Sequence, residues 1–255
     1  MAKTVAILNQ KGGVGKTTTA VNLAACVGFL DRRVLLCDID PQGNSTSGFG
    51  IDKRSVKVSS YDVLTGKCAA ADAVMHTAFK KTDVLPSNMN LAGAELEIMD
   101  AQNRERLLKN ALVPLWENYD YIFLDCPPSL GLITLNALTA ADTFLVPIQC
   151  EYYALEGLSQ LMATVRQIKR LYNPYIELEG VLLTMFDGRL NLTQQVVEEV
   201  KKFFPKKVFA TAIPRNVRLS EAPSFGQPII YFDKSSKGAQ SYLAFAEEFL
   251  AKQGK

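Results

Sequence analysis

Two lysines, three glycines and two threonines fall within eight residues, Lys11-Gly12-Gly13-Val14-Gly15-Lys16-Thr17-Thr18. These types in this order suit the cradling of a polyphosphate. Glycines let the chain curl so that several backbone N–H groups point inward. They also let that backbone approach an anion more closely than any Cβ would allow. Lys16 stands where an ammonium would reach the β- and γ-phosphates, and Thr17 where a hydroxyl would ligate Mg²⁺. The bland alternative is a surface turn in which glycines and lysines fell together. The loop departs from the usual G-x-x-x-x-G-K-[ST] pattern, because Gln10 holds the first glycine's place and Lys11 adds a second ammonium. Two like charges in one loop repel unless more phosphate charge is shared. One solution is that Lys11 reaches a nucleotide held by a second copy of the chain.

Two further acids end apolar runs. Residues 33–40 form a near-continuous apolar stretch closing in Asp38-Ile39-Asp40-Pro41-Gln42-Gly43-Asn44. A carboxylate there can act, directly or through water, on Mg²⁺ and on an attacking water. An ordinary Asp is a weak base with a pKa near ~4, so Asp40 is assigned to holding the water more than to abstracting its proton. The alternative is an Asx turn and helix cap served by Asn44 and Ser45. Residues 119–125 are a second apolar run ending in Asp125, followed by the rigid turn Cys126-Pro127-Pro128-Ser129. An acid so placed has the form of a Walker B residue, which binds Mg²⁺ through water. A plain helix cap is the alternative.

Chemistry of this kind needs strands that end at one edge. Residues 4–8 read as a strand before the glycine loop, and residues 19–27 as a helix after it that starts near Lys16. The positive end of that helix would add to the anion site. Further strands are predicted at 33–40, near 84–87, and at 119–125, 141–147, 178–185 and 208–213. Helices are predicted at 61–64, 69–74, 94–112, 155–171, 192–204 and 239–252. Strand and helix alternate with no internal repeat and no linker. That pattern predicts one α/β domain over residues 1–255, a doubly wound, mostly parallel sheet with helices on both faces.

Composition narrows the class. The chain has 255 residues, 48% of them hydrophobic, and a net charge of +2, enough for a large core and no polycation. No apolar stretch approaches a membrane span and no signal peptide is visible, which predicts a cytoplasmic protein. The five cysteines are scattered without a C-x-x-C pair, and the lone histidine, His76, rules out a histidine-based metal site. From residue 180 to 240 there are nine Lys and Arg against five acids, a bias compatible with an anionic partner. The guanine-reading N-K-x-D pattern is absent, which favours ATP over GTP.

The segment Lys11 to Thr18 resembles the deviant Walker A motif of the ParA/MinD superfamily of P-loop ATPases, most closely the chromosome-partitioning branch often called Soj or ParA. The resemblance covers nearly the whole chain. It implies a Mg²⁺-dependent ATP hydrolase that pairs over ATP as a sandwich homodimer. The Asp40 segment looks like the family's switch I, with Asp40 needed for hydrolysis. The Asp125 segment looks like switch II, with the Gly131 N–H sensing the γ-phosphate. Pro214 would pack on the adenine and Asn216 would hydrogen-bond near it, although a tight turn explains them nearly as well. Arginines matching Arg189 and Arg218 bind double-stranded DNA without sequence preference in this branch. Without the resemblance, two exposed arginines in loops would be read as solvated surface. The implied partners are nonspecific DNA, a ParB-like centromere-binding protein that stimulates hydrolysis, and a replication initiator. The implied location is cytoplasmic and nucleoid-associated, with no membrane partner and no N-terminal helix-turn-helix domain. The alternatives are a MinD-like membrane-positioned ATPase, an iron–sulfur relative and a nucleotide-switched scaffold. The paired acids Glu247 and Glu248 predict that the last helix packs on the domain instead of lying on a membrane.

Overall fold

A computed structural model describes residues 1–151 and 154–254. In chain order the first half contains β1 (Lys3–Ile7), α1 (Lys16–Phe29), β2 (Val34–Asp38), α2 (Asn44–Gly48), α3 (Ser60–Leu64), α4 (Ala70–Ala73), β3 (Met75–His76), β4 (Thr82–Leu85), α5 (Leu91–Glu97) and α6 (Leu107–Leu112). The second half contains β5 (Tyr121–Asp125), α7 (Leu132–Ala140), β6 (Thr143–Gln149), α8 (Ala154–Leu171), β7 (Glu177–Thr184), α9 (Asn191–Phe203), α10 (Val217–Glu221), α11 (Ile229–Phe232) and α12 (Lys237–Lys252).

The strands form one seven-stranded sheet in the order β3-β4-β2-β5-β1-β6-β7. Every pairing is parallel except β3 with β4. β2 and β5 are buried at every residue, as parallel strands covered on both faces must be. Alternate side chains of β1 serve opposite cores. Ala6 joins the core under α3 to α9, and Val5 and Ile7 join the core under α1, α11 and α12. The chain leaves β1 toward β2 on one side and returns from β5 to β6 on the other. The carboxyl ends of β1 and β5 therefore flank the topological switch point, where open α/β sheets bind ligands.

Several local expectations fail for identifiable reasons. The helix predicted over residues 94–112 is broken into α5, a 3₁₀ turn at Arg104–Arg106 and α6. Asn103 stands at φ 54°, a left-handed conformation that Asn tolerates and that interrupts a helix. The strand predicted over 208–213 survives as two bridges, from Val208 to β7 and from Pro214 to Phe186 just beyond it. Between them Ala210 and Thr211 donate their N–H groups to the Glu248 carboxylate on α12, both at 2.8 Å, so the ladder is interrupted by a side chain. The apolar run 33–40 stops being a strand after Asp38, where the chain turns. The antiparallel edge strand β3 and helices α2, α7, α10 and α11 are additions to the predicted elements.

The closing helix α12 turns Tyr242, Phe245 and Phe249 inward to full burial. Phe249 packs against Tyr121 and Phe123 of β5, with ring centroids 5.4 and 5.7 Å apart, and Phe245 meets Phe209 edge-on at 4.8 Å. The apolar face of α12 is therefore held in the core, in line with the packing predicted for it. No helix among the described residues is long and apolar enough to cross a membrane. Removing the Phe249 ring leaves a cavity against β5, so Phe249→Ala is expected to lower stability by about 3–5 kcal/mol in urea unfolding.

Candidate nucleotide and magnesium site

The glycine loop connects β1 to α1 at the switch point. Gly13 and Gly15 sit at φ 74° and 84°, a conformation that costs glycine little and disfavours residues with a Cβ. Helix α1 starts at Lys16 without a side-chain cap and without an acid in its first turn. Its first N–H groups are left for an anion, and its dipole adds positive potential there. Buried Asn9 ties the loop to the sheet. Its Nδ2 donates to the Pro147 carbonyl at 2.8 Å, and its Oδ1 accepts from the Lys11 N–H at 3.0 Å. The loop's far side is fixed by the Thr184 hydroxyl, which donates to the Val14 carbonyl at 2.8 Å.

The two lysines have different surroundings. Lys16 is 8% exposed and its Nζ donates to the Lys11 carbonyl at 3.0 Å. Burial pushes its pKa down, and the Asp125 and Asp40 carboxylates act against that shift. Lys11 is half-buried, and its ammonium pairs with the Glu151 carboxylate of the same chain. The chain thus supplies Lys11 with a counter-ion of its own, so shared phosphate charge is not the sole relief for the repulsion expected between the two loop ammoniums. Glu151 follows β6 in sequence but lies opposite the loop, a proximity that spacing alone does not reveal.

At the carboxyl edge, Asp38 of β2 and Asp125 of β5 are in-register partners on neighbouring strands. In a parallel pair such residues point to the same face, one strand spacing apart. Both are 0% exposed. Burial first, and then the charge of Asp38, pushes the Asp125 carboxyl up from the ordinary range, and burial does the same for Asp38. The Ser45 hydroxyl donates to Asp125 Oδ2 at 2.7 Å, and the Thr17 hydroxyl also helps to hold the charged form of Asp125. Asp125 Oδ1 is buried with no partner among the described residues. A hard cation fits this arrangement, with a carboxylate oxygen in want of a partner, a hydroxyl beside it and the phosphate loop above. Asp40 is half-buried on the loop after β2, within electrostatic reach of Lys16 and Asp125, and its Oδ1 accepts from the Gln42 N–H at 2.9 Å.

A cleft of about 220 Å³ continues from the glycine loop, lined by Gly15, Thr18, Met185, Pro214, Asn216 and Tyr242 among others. Three larger hollows lie away from the loop and a fourth, of about 290 Å³, borders it at Thr17 and Thr18, so the lining at Pro214 and Asn216 and not size marks this one. The structure thus brings Pro214 and Asn216 to the phosphate loop. Asn216 is also the N-cap of α10, its Oδ1 accepting from the Leu219 N–H at 3.3 Å. The turn reading of this segment is therefore realised alongside the cleft. Gly131 precedes α7 and has the Glu95 carboxylate packed against it, which accepts from the Ile133 N–H at 3.1 Å.

Arg189 lies in the turn after β7, 89% exposed and paired with Asp187 at 2.7 Å. That guanidinium pulls the Asp187 carboxyl down to about 2. Arg218 is corrected from the loop expected for it to the short helix α10. It bonds Glu221 at 2.8 Å and Asp233 at 2.9 Å, and lies over the Phe232 ring at 4.8 Å.

A family model described as an AAA domain matches residues 2–178. The sporulation initiation inhibitor protein Soj of Bacillus subtilis is 57% identical over 251 residues, covering 98% of this chain and 99% of that protein. The chromosome partitioning protein ParA of Myxococcus xanthus is 53% identical over 250 residues, covering 98% of this chain and 88% of that one. The chain belongs to the ParA/MinD superfamily of ATPases, in its Soj branch. A crystal structure of cobyrinic acid a,c-diamide synthase from Mycobacterium smegmatis, with bound ADP and magnesium, superposes with a TM-score of 0.87 at 38% identity, covering 100% of this chain and 97% of that one. This Soj-branch chain is an ATP hydrolase, and ATP and Mg²⁺ are its cofactors.

In the sequence of this Soj-branch ATPase, Asp38 stands in the acidic motif without a role of its own, Ser45 reads only as a helix cap, and Thr46 and Glu151 carry no signal. A signal is present for Asp38, because residues i and i+2 of a strand share a face and the stretch carries acids at both 38 and 40. The raised carboxyls of Asp38 and Asp125 mean that the folded chain binds more protons than the unfolded chain between about pH 4 and about pH 7. Their contribution to stability is therefore largest at low pH and is lost as pH rises through that window. Thermal melts of nucleotide-free, Mg²⁺-free protein should show this loss, and Asp125→Asn or added Mg²⁺ with ATP should flatten it. A pH slope unchanged by Asp125→Asn would contradict the assignment.

Proposed function

We propose that this ATPase partitions chromosomes or plasmids, pairing over ATP into a sandwich dimer that binds DNA without sequence preference. The observation that carries the reading is the division between the two loop lysines. Lys16 is buried among the site's own groups, whereas the Lys11 ammonium is held at the surface by Glu151, itself half-exposed. Lys16 is then the lysine for the chain's own phosphates. Lys11 is free to exchange Glu151 for the triphosphate of a second copy, because an exposed ion pair of this kind is worth little. The 57% identity to Soj of Bacillus subtilis supports the biological role.

Thr17 and Asp125 would hold Mg²⁺, which supplies charge neutralisation to the phosphates when bound. The loop N–H groups and Lys16 bind and orient the triphosphate. Asp40 positions the water, and Lys16 with the partner copy's Lys11 faces the charge that develops as the γ-phosphoryl group leaves. Pro214 and Asn216 border the base.

The exposed Arg189, with Arg218, forms the DNA-binding surface, each exchanging a protein carboxylate for phosphate. Such phosphate bonds are few per copy, so doubling them on one continuous dimer surface turns binding on. A ParB-like partner that stimulates hydrolysis would turn it off, acting on protein bound to the nucleoid in the cytoplasm.

Lys16→Ala is expected to abolish ATP-dependent DNA binding in a filter assay. Lys11→Ala should still bind nucleotide yet remain a single chain by light scattering with a non-hydrolysable analogue. Retention of ATP-dependent DNA binding by Lys16→Ala would refute the scheme. Arg189→Ala should weaken DNA binding across all sequences and reduce the slope of log K against log salt by about 1 for each phosphate that is no longer neutralised. An unchanged slope would remove Arg189 from the interface.

A further inference from the structure

Asp38 has a set of partners that neither the phosphate loop nor the cation explains. Its Oδ2 accepts from the Thr46 N–H at 2.8 Å and from the Thr46 hydroxyl at 2.7 Å. Its Oδ1 accepts from the Asp40 N–H at 3.2 Å. One fully buried carboxylate therefore holds both ends of the segment from residue 40 to residue 46, which carries Asp40 across the site. Other bonds fix the same segment to neighbouring strands. The Thr46 hydroxyl accepts from the Ser87 N–H just beyond β4, at 2.9 Å. The Ser45 hydroxyl reaches Asp125 on β5. Inside the segment the Gly43 N–H returns to the Asp40 carbonyl at 2.9 Å. A Cβ on Gly43 would stand 2.9 Å from the Ser87 carbonyl oxygen, so the segment has little room to shift.

We propose that Asp38 is a positioning residue for ATP hydrolysis, closing the segment 40–46 so that the Asp40 carboxylate stands where it can hold the attacking water. This rests on the reading of Asp40 as the water-holding group. The chemistry demands an acid at position 38. A carboxylate accepts on both oxygens, whereas an amide accepts on one side and donates on the other. Asparagine at 38 would set an N–H against the N–H of either Asp40 or Thr46, and one end of the segment would open. The side chain would keep its size, and the glycine loop and Lys16 would be untouched. Taking a carboxylate fully out of water is unfavourable, so mere filling of space does not account for an acid here. Its oxygens are turned to N–H and O–H donors of its own chain, which separates its role from that of Asp125, whose Oδ1 has no such donor among the described residues.

The test is a double-mutant cycle on the full chain, with steady-state ATP hydrolysis and the Kd of a fluorescent ATP analogue measured for Asp38→Asn, Asp40→Ala and both together. Misplacing a reacting group by about 1 Å costs up to about 100-fold, so Asp38→Asn should lower kcat roughly 10- to 100-fold with the nucleotide Kd unchanged. Because Asp38 acts through Asp40, the double variant should be no slower than Asp40→Ala alone. Thr46→Val should reproduce part of the Asp38→Asn loss, and Thr46→Ser should restore it. If the two losses multiply, if nucleotide affinity falls in step with kcat, or if Asp38→Asn turns over normally, the proposal is overturned. A normal rate for Asp40→Ala alone would instead overturn the reading of Asp40. Melting midpoints establish that each variant is folded. If Asp38→Asn is not folded, the same cycle run with Thr46→Val and Asp40→Ala decides by the same criterion.

Discussion

Two carboxylates stand side by side, out of water, at the carboxyl ends of β2 and β5, and the rest of the site is arranged around that unfavourable pairing. The parallel register sets Asp38 against Asp125 and leaves neither a route to solvent. Two buried like charges are tolerated only where donors and cations surround them. Here the donors are Thr46, Ser45, Thr17 and the Asp40 N–H, and the Lys16 ammonium stands within electrostatic reach. What these do not satisfy, Asp125 Oδ1, is where a divalent cation fits. The glycine loop lies beside these carboxylates, for which a divalent cation on a polyphosphate is a fitting counter-charge.

The loop itself balances charge in two directions. Lys16 is drawn inward by the acids beneath it, and Lys11 outward by Glu151. Both depend on strands distant in sequence, because Asn9 on the β1 side is bonded to Pro147 on β6, and β6 leads to Glu151. The ion pair with Glu151 gives Lys11 a counter-ion within the single chain.

The same exchange of backbone partners for side-chain partners explains where regular structure stops. Glu248 of α12 takes the N–H groups of Ala210 and Thr211, so the segment beside β7 pairs only at its ends. It then opens toward Pro214 and Asn216, which line the cleft below the loop. A regular eighth strand would have turned the Thr211 N–H to β7, as the N–H groups of Phe209 and Ile213 are turned. The docking of α12 through its aromatic face and the shaping of the cleft are in this sense one arrangement.

Local chemistry made much of this legible without coordinates. Glycines at 13 and 15, a lysine and a threonine after them, and acids closing apolar runs at 40 and 125 are short-range patterns, and alternation of strand and helix implied the doubly wound sheet. The break at Asn103 and the interrupted ladder at Ala210 and Thr211 were not legible, because a single left-handed residue and a carboxylate from α12 override helix and strand propensity. Nor was the pairing of Asp38 with Asp125, or of Lys11 with Glu151. Each joins residues far apart in the chain, and only strand register and loop apposition decide which distant charges share a space. Sequence determined which groups are available, and the tertiary structure determined which of them must neutralise one another, because electrostatic interaction depends on distance and burial and not on spacing along the chain.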